Sequence, residues 1–359
     1  MSSVEEDLDP ANTLDDQRHD LHQDLLAFLR RGEGDFDTLA VRVLRYQAAA
    51  LPAYARLVSR LGASLDHWQT APMVPTELFQ EIDLCSRPAG KKDLVFRTSG
   101  TTVGRRGARR VSDPTLYRTA MAHPFIAGVL DGDPSRRRWI SLIPRADVLP
   151  DSSLSFMVTE LAGALASETY WVMEKDGIDF DLAKTALGEG HGTGDERVLV
   201  LTTAFALAEL LDKLRWPPRL PPGSRVMLTG GFKGRTLGLS EAELLAKLEA
   251  ILGVPASLVR AEYGMTELTS QAYGTPFAPM GTLRFRVVHP ETGAALGPGE
   301  VGLVGCFDLL NLDNVSSILT SDLGALDADG RLTLHGRRPG ATPRGCSLSA
   351  EEILAKVAR

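Results

Sequence analysis

Apolar positions first recur at helical spacing over about 20–31 and 36–61, and in the second stretch Leu39, Val43, Tyr46, Ala50, Tyr54 and Leu57 share one face. Ahead of them, residues 1–20 carry Glu5, Glu6, Asp7, Asp9, Asp15 and Asp16 beside few apolar residues, which predicts a flexible acidic leader joining the first helix near Leu21. A proline-interrupted stretch around Pro72 and Pro75 leads onward. From about residue 93 the pattern changes to short β-rich runs alternating with helical segments. Strands are predicted over 93–97, 138–143, 169–173, 197–201, 225–229 and 257–261, with helices near 114–130, 153–165, 179–187, 203–214 and 240–252. Asp113 before Pro114 marks one helix start, and Ser240 with Glu243 forms a capping box ahead of an apolar stripe from Leu244 to Leu252. Buried strands separated by amphipathic crossovers predict an α/β fold, a largely parallel sheet with helices on its faces. After about residue 281 the helical patterns stop. Runs at 282–288, 301–307, 316–321 and 331–335 predict a β-rich subdomain over 281–345, and Ser349 with Glu352 opens a short helical remnant over 346–359. The division expected is therefore a leader over 1–20, a helical opening plus α/β core over 21–280, the β-rich section and the remnant.

Composition narrows the functional classes. The 359 residues suggest about two domains, and 43% hydrophobic with 24% charged residues is ordinary for a globular chain. Fibrous, collagenous and wholly disordered proteins are excluded. A net charge of −7 argues against nucleic acid or an anionic membrane as a general partner. No apolar run approaches the roughly 18 residues of a membrane span, and the acidic start lacks a secretory signal. Cys85, Cys306 and Cys346 are far apart and form neither a disulfide framework nor a zinc site, so a cytoplasmic setting is expected. Cys85 and Cys306 are expected in the core.

Four segments carry chemistry. Thr98, Ser99, Gly100, Thr101, Thr102, Val103, Gly104 and Arg105 follow the strand that ends near Arg97. Hydroxyls, glycines and arginines there suit a phosphate-holding concavity, although the spacing is not that of a Walker loop; a plain Ser/Thr/Gly hairpin is the other reading. Tyr263, Gly264, Met265, Thr266 and Glu267 place an aromatic ring, a hydroxyl and a carboxylate at the carboxyl end of the sheet, where ligands of open α/β folds collect. Tyr263 suits stacking on a base and Glu267 suits Mg²⁺ between phosphates, or the pair simply opens a helix. Thr229, Gly230, Gly231, Phe232, Lys233 and Gly234 allow a planar group to approach backbone, or form a tight ligand-free turn. Asp322, within Ser321–Asp322–Leu323–Gly324, and Arg337 suit a clamp on a vicinal diol.

Taken in order, these segments resemble the motifs of the adenylate-forming superfamily, which includes acyl-CoA ligases, luciferases and peptide-synthetase adenylation domains. The resemblance spans roughly 94–345. It implies a phosphate loop at Thr98–Arg105, an adenine-flanking turn at Gly230, Gly231 and Phe232, adenine stacking by Tyr263 with Gly264, an Mg²⁺ site at Glu267, and ribose contacts from Asp322 and Arg337. The fold implied is the N-terminal domain of those enzymes, with layered parallel and mixed sheets and a small β-rich section. Two positions depart from the pattern: Val103 replaces the loop's next glycine, and Pro339 follows Arg338 where a hinge Asp is usual. The chain runs only to Arg359, so the superfamily's C-terminal domain and catalytic lysine are expected to be absent.

The shortness, the Thr229–Gly234 turn and the closing Arg344–Leu348 are similar to the acyl-protein synthetase (LuxE-type) branch. That likeness implies a cysteine near the C-terminus, here Cys346, as acceptor of an acyl group, since a thiolate attacks an activated acyl readily. The expected reaction uses ATP and Mg²⁺ to convert a small-molecule carboxylic acid to an acyl-adenylate and pyrophosphate, and a thiol then takes the acyl group. Thr266 is the candidate donor to the α-phosphate and Lys233 the candidate stand-in for the missing lysine. Partners expected are an acyl reductase, acyl-transferase or carrier protein. Alternatives are an adenylating ligase delivering an aryl or aliphatic acid to coenzyme A, a carrier protein or an amine, and a non-catalytic nucleotide-binding partner of a reductase.

Overall fold

The computed structural model describes residues 13–98, 106–188, 196–215, 217–230 and 239–339. The chain opens with three helices, α1 (Leu14–Arg31), α2 (Phe36–Ala50) and α3 (Pro52–Leu61). Helix α1 starts seven residues before the expected Leu21, because Thr13 and Asp16 form a capping box: the Thr13 hydroxyl accepts from the Asp16 N–H and the Asp16 carboxylate accepts from the Thr13 N–H. The stretch expected as one helix over 36–61 is two. Pro52 lacks an N–H and cannot continue α2, so Leu51 leaves helical geometry and Pro52 opens α3.

Next come β1 (Val74–Pro75), then an antiparallel hairpin of β2 (Leu94–Arg97) and β3 (Ala108–Val111). The α/β layer follows in the order α4 (Thr115–Gly128), β4 (Arg137–Ser141), α5 (Ser153–Leu165), β5 (Ala166–Trp171), the small hairpin β6 (Met173–Glu174) and β7 (Gly177–Ile178), α6 (Phe180–Ala186), β8 (Val198–Thr203), α7 (Ala204–Lys213), β9 (Arg225–Thr229), α8 (Glu241–Leu252), β10 (Val259–Tyr263) and β11 (Ala272–Tyr273). The last four strands are β12 (Leu283–Val288), β13 (Gly302–Asp308), β14 (Ser317–Leu326) and β15 (Leu332–Arg337).

The expected α/β fold is present. Six strands form one sheet in the order β11-β10-β9-β8-β4-β5, parallel except for the antiparallel edge strand β11. Alternation along its strands sends Ile140, Val200, Val226 and Leu228 toward α7 and α8, while Trp139, Leu199, Leu201 and Met227 meet α4 and α5. Both faces are thereby covered by helices.

The second sheet joins β1, β14, β13 and β12 in that order, with β15 also on β14. Its inner face shares a core with the opening helices: Leu25, Leu39, Val43 and Tyr54 pack with Phe285, Val304, Phe307 and Ile318. Polar links fix this docking. The Arg18 guanidinium pairs with both Asp313 oxygens at 2.6 Å, and Gln47, wholly buried, donates to the Asn311 carbonyl at 2.8 Å and accepts from the Ser316 N–H at 3.1 Å. No helix among the described residues is long and apolar enough to cross a membrane.

Candidate functional site

The site forms where the carboxyl ends of β9 and β10 meet β14 and β15. Because successive strand residues face opposite ways, Glu262 and Tyr263 at the end of β10 point to different layers. The Tyr263 ring enters the core of the five-stranded sheet, 5.5 Å from the Phe277 ring and 6.0 Å from that of Phe285. Its hydroxyl donates to Asp322 Oδ2 at 3.0 Å, and Arg337 Nε donates to Asp322 Oδ1 at 2.6 Å. Asp322 and Arg337 are register partners across β14 and β15, so the sheet itself sets this pair side by side. Burial first, then the Asp322 charge, holds the Tyr263 phenol well above its usual value. Tyr263, Asp322 and Arg337, three residues singled out from sequence, are thus one hydrogen-bonded cluster bridging the two sheets.

Tyr263 lies on the strand rather than after it, since β10 runs two residues beyond the predicted 257–261. Gly264 follows directly. A Cβ there would come within 2.3 Å of Glu262 Oε1, so a side chain would require that carboxylate to move. The loop that continues through Thr266 and Glu267 is held from behind. Asp308 accepts from the N–H groups of Thr269 and Ser270, both at 2.7 Å, and from the Ser270 hydroxyl at 2.8 Å. Asn311 Nδ2 donates to the Glu267 carbonyl at 2.9 Å, and the buried Arg109 guanidinium donates to the Leu268 carbonyl at 2.8 Å and to Asn311 Oδ1 at 2.9 Å. Burial lowers the Arg109 pKa, and the charges of Asp308 and Glu267 act against that. A cavity of about 20 Å³, room for about one water, lies between this anchor and α1, bordered by Arg18, His22, Arg109, Thr269 and Asn311.

The first segment comes to the same place. Thr98 is buried at the base of the β2–β3 hairpin, where its hydroxyl accepts from the Gly107 N–H at 2.9 Å and its carbonyl accepts from Arg106 Nε at 2.8 Å. The Thr266 hydroxyl lies 3.4 Å from the Arg97 carbonyl, which sets the hairpin base beside the Tyr263–Glu267 loop. Ser99, Gly100, Thr101, Thr102, Gly104 and Arg105 lie outside the described residues, as do Gly231, Phe232, Lys233 and Cys346. Gly230 is described; it takes φ +81° directly after β9, a conformation glycine adopts without strain. Parallel pairing sets Thr229 beside Glu262, and the Thr229 hydroxyl donates to Glu262 Oε2 at 2.5 Å.

No protein-family model and no curated protein sequence matches the chain. Solved structures similar to it include apo MatB from Rhodopseudomonas palustris, with 17% identity and a TM-score of 0.49 over 71% of this chain and 51% of that one. The amide bond synthetase McbA from Marinactinospora thermotolerans matches with 18% identity and a TM-score of 0.46, over 70% and 50% respectively. The o-succinylbenzoate coenzyme A synthetase MenE from Bacillus subtilis, in complex with ATP and magnesium ion, matches with 19% identity and a TM-score of 0.46, over 68% and 50%. The chain spans about half the length of these structures.

Sequence reasoning passed over Arg109, Asp308, Asn311 and Glu262. The signal for the first three was polar residues interrupting apolar runs: Arg109 occupies an inward position of β3, and Asp308 and Asn311 interrupt the run from Cys306 to Leu312. Of the two cysteines expected in the core, Cys306 is wholly buried and Cys85 only half-buried; burial raises the pKa of both thiols.

Proposed function

We propose that the chain activates a small-molecule carboxylic acid with ATP as an acyl-adenylate. The observation that carries this is the Tyr263–Asp322–Arg337 cluster: a carboxylate fixed by an arginine and a phenol, at the carboxyl end of a parallel sheet, is suited to accept two vicinal hydroxyls of a ribose. Four sequence segments resembling one nucleotide-binding motif set have their described residues gathered at that same end.

The donor chemistry fits Mg·ATP. Among the described residues no three His, Cys, Asp or Glu side chains gather as a metal cage, and a Mg²⁺ bound with ATP needs only one or two carboxylates plus phosphate oxygens. Glu267 is the carboxylate for it, and the ion would neutralise charge between phosphates. Thr266, on a loop braced by Asp308 and Asn311, is the proposed donor to the α-phosphate. Asp322 and Arg337 orient the sugar, so the acid's carboxylate oxygen attacks α-phosphorus while the bond to the bridging oxygen breaks and pyrophosphate departs with that electron pair. Lys233 is proposed to lend positive charge to this step, with phosphate contacts from Ser99–Thr102, Gly104 and Arg105 and adenine contacts from Gly230, Gly231 and Phe232.

A thiol is the proposed acceptor in the second step. Cys306 is sealed in the core and the Cys85 thiol is pushed up by burial, which makes both poor nucleophiles and leaves Cys346 as the cysteine to test. The reaction is tested by mixing the protein with ATP, Mg²⁺ and a panel of acids while following pyrophosphate. Release that depends on an acid is expected; release without acid, or with none of the panel, overturns the proposal. Cys346→Ala should abolish covalent acyl labelling and leave pyrophosphate release, and persistent labelling would move the acceptor elsewhere.

A further inference from the structure

Six large hydrophobic side chains stand exposed among the described residues, and three of them gather near the site. Leu78 and Ile82, at 36% and 39% exposure, lie one turn apart, since the Ile82 N–H donates to the Leu78 carbonyl at 3.0 Å. Their turn begins as a 3₁₀ helix over Thr76–Gln80, which packs against β3 and β14. Val95, 36% exposed, lies on the outer face of β2, opposite Arg110 of β3. Arg110 Nε donates to Asp83 Oδ2 at 3.0 Å, which pins the outer face of the hairpin to the residue after Ile82. Single apolar residues on a surface need no explanation, but a group of them does.

The described chain ends at the edge of this group. After β15, the Arg338 N–H donates to the Ser321 carbonyl at 2.9 Å, and the Ser321 hydroxyl donates to Glu77 Oε1 at 3.1 Å. Glu77 immediately precedes Leu78, so residues 340–359 set out from beside the patch. Their sequence is amphipathic. Ser349 and Glu352 have capping-box spacing, Leu348 and Ile353 have the spacing of a hydrophobic staple, and Ala350, Ile353, Leu354 and Val357 share one helical face. Glu352, Lys356 and Arg359 fall on the opposite face. A helix of about eleven residues is marginal alone in water, so such a stripe needs a surface to bury it. Charge favours this segment over the acidic leader: Glu77, Glu81 and Asp83 flank Leu78 and Ile82, and residues 340–359 bring Arg344, Lys356 and Arg359. Residues 99–105 and 189–195 hold one aliphatic side chain between them, Val103.

We propose that residues 349–359 form an amphipathic helix whose apolar face covers Leu78, Ile82 and Val95. The docking does not depend on the adenylation reading. Joined to that reading, it tethers Cys346 on both sides, between Pro339 and Ser349, close to the strand that carries Asp322.

The test is hydrogen exchange of the full-length protein without nucleotide or acid, read on peptides covering 349–359. In the wild type these amides should exchange about tenfold or more slowly than in a free peptide of the same sequence. Ile82→Glu, and separately Leu354→Glu, should return them to the free-peptide rate. If Ile82→Glu does not fold, Val95→Glu on the outer face of β2 takes its place. Free exchange of 349–359 in the wild type overturns the proposal, and so does protection that survives the patch variants. Release of 1–12 or 99–105 by Ile82→Glu, with 349–359 unchanged, gives the patch to those segments and overturns it. A wild-type dimer that Ile82→Glu converts to monomer, with 349–359 exchanging freely in both, gives the patch to a second copy and overturns it. Every one of these results leaves adenylation standing, because that reading is tested by pyrophosphate release.

Discussion

Two faces of one strand end carry buried carboxylates in opposite electrostatic states. On the Tyr263 face, Asp322 is gripped by a guanidinium set beside it by strand register and by a phenol that arrives from the other sheet. On the other face, Glu262 has one neutral hydroxyl as partner among the described residues, and burial pushes its carboxyl up to about 7. Behind both, Asp308 ties the Thr266–Glu267 loop to β13 through backbone N–H groups. The difference separates fixtures, whose charge is paired within the fold, from a carboxyl that burial leaves to take up a proton; Asp322, held by Arg337 and Tyr263, still has lone pairs for further hydroxyls.

The largest effect belongs to the fixture. Asp308→Ala removes the acceptor of several buried donors and strips Arg109 of its nearest compensation, so unfolding in denaturant should show a loss of roughly 3–5 kcal/mol. A loss below about 1 kcal/mol would mean the loop is held by something else.

Next comes the uncompensated carboxyl. Its folded pKa of about 7 stands above the ordinary glutamate value of 4.5, so the folded protein keeps a proton that the unfolded chain releases. Its contribution is therefore full below 4.5 and is lost as pH rises through about 7, a change of about 3 kcal/mol. The titratable neighbour facing it is Tyr273 on β11, which stays protonated throughout this range. Glu262→Gln should thus gain stability relative to wild type between pH 4.5 and 8. Parallel stability curves for the two proteins would show that Glu262 is already neutralised and would erase the contrast with Asp322.

A smaller effect sharpens the contrast from the other face. Tyr263→Phe deletes one donor to Asp322 while Arg337 remains, so the loss in thermal or denaturant stability should be about 1 kcal/mol. No loss would mean that the phenol does not brace the carboxylate.

Much of the scaffold was legible because its cues are local. The helix Ser153–Leu165 and the strand Arg225–Thr229 coincide with their predicted limits, and the Ser240–Glu243 capping box forms as its spacing implies. The break at Pro52 was also a local cue, masked by an apolar face that ran through it. Other features were hidden because they depend on what arrives from elsewhere in the chain. Strand β3 carries Arg109 at an inward position, which spoils the alternation that marks a strand, and it is partners far along the chain, Leu268, Thr269 and Asn311, that make that burial tolerable. Glu262 reads as an ordinary charge at a strand end, since its isolation follows from the way β9 and β11 close on either side of it. Tyr263, Asp322 and Arg337 were legible as candidates through motif order, while their direct bonding required the two sheets to meet.

Calorimetric titration of Mg·ATP into the wild type and into Asp322→Ala tests the central claim most directly. Saturable uptake by the wild type, weakened about tenfold or more in Asp322→Ala, is the predicted result. No uptake by the wild type, or equal affinity in both proteins, would contradict it.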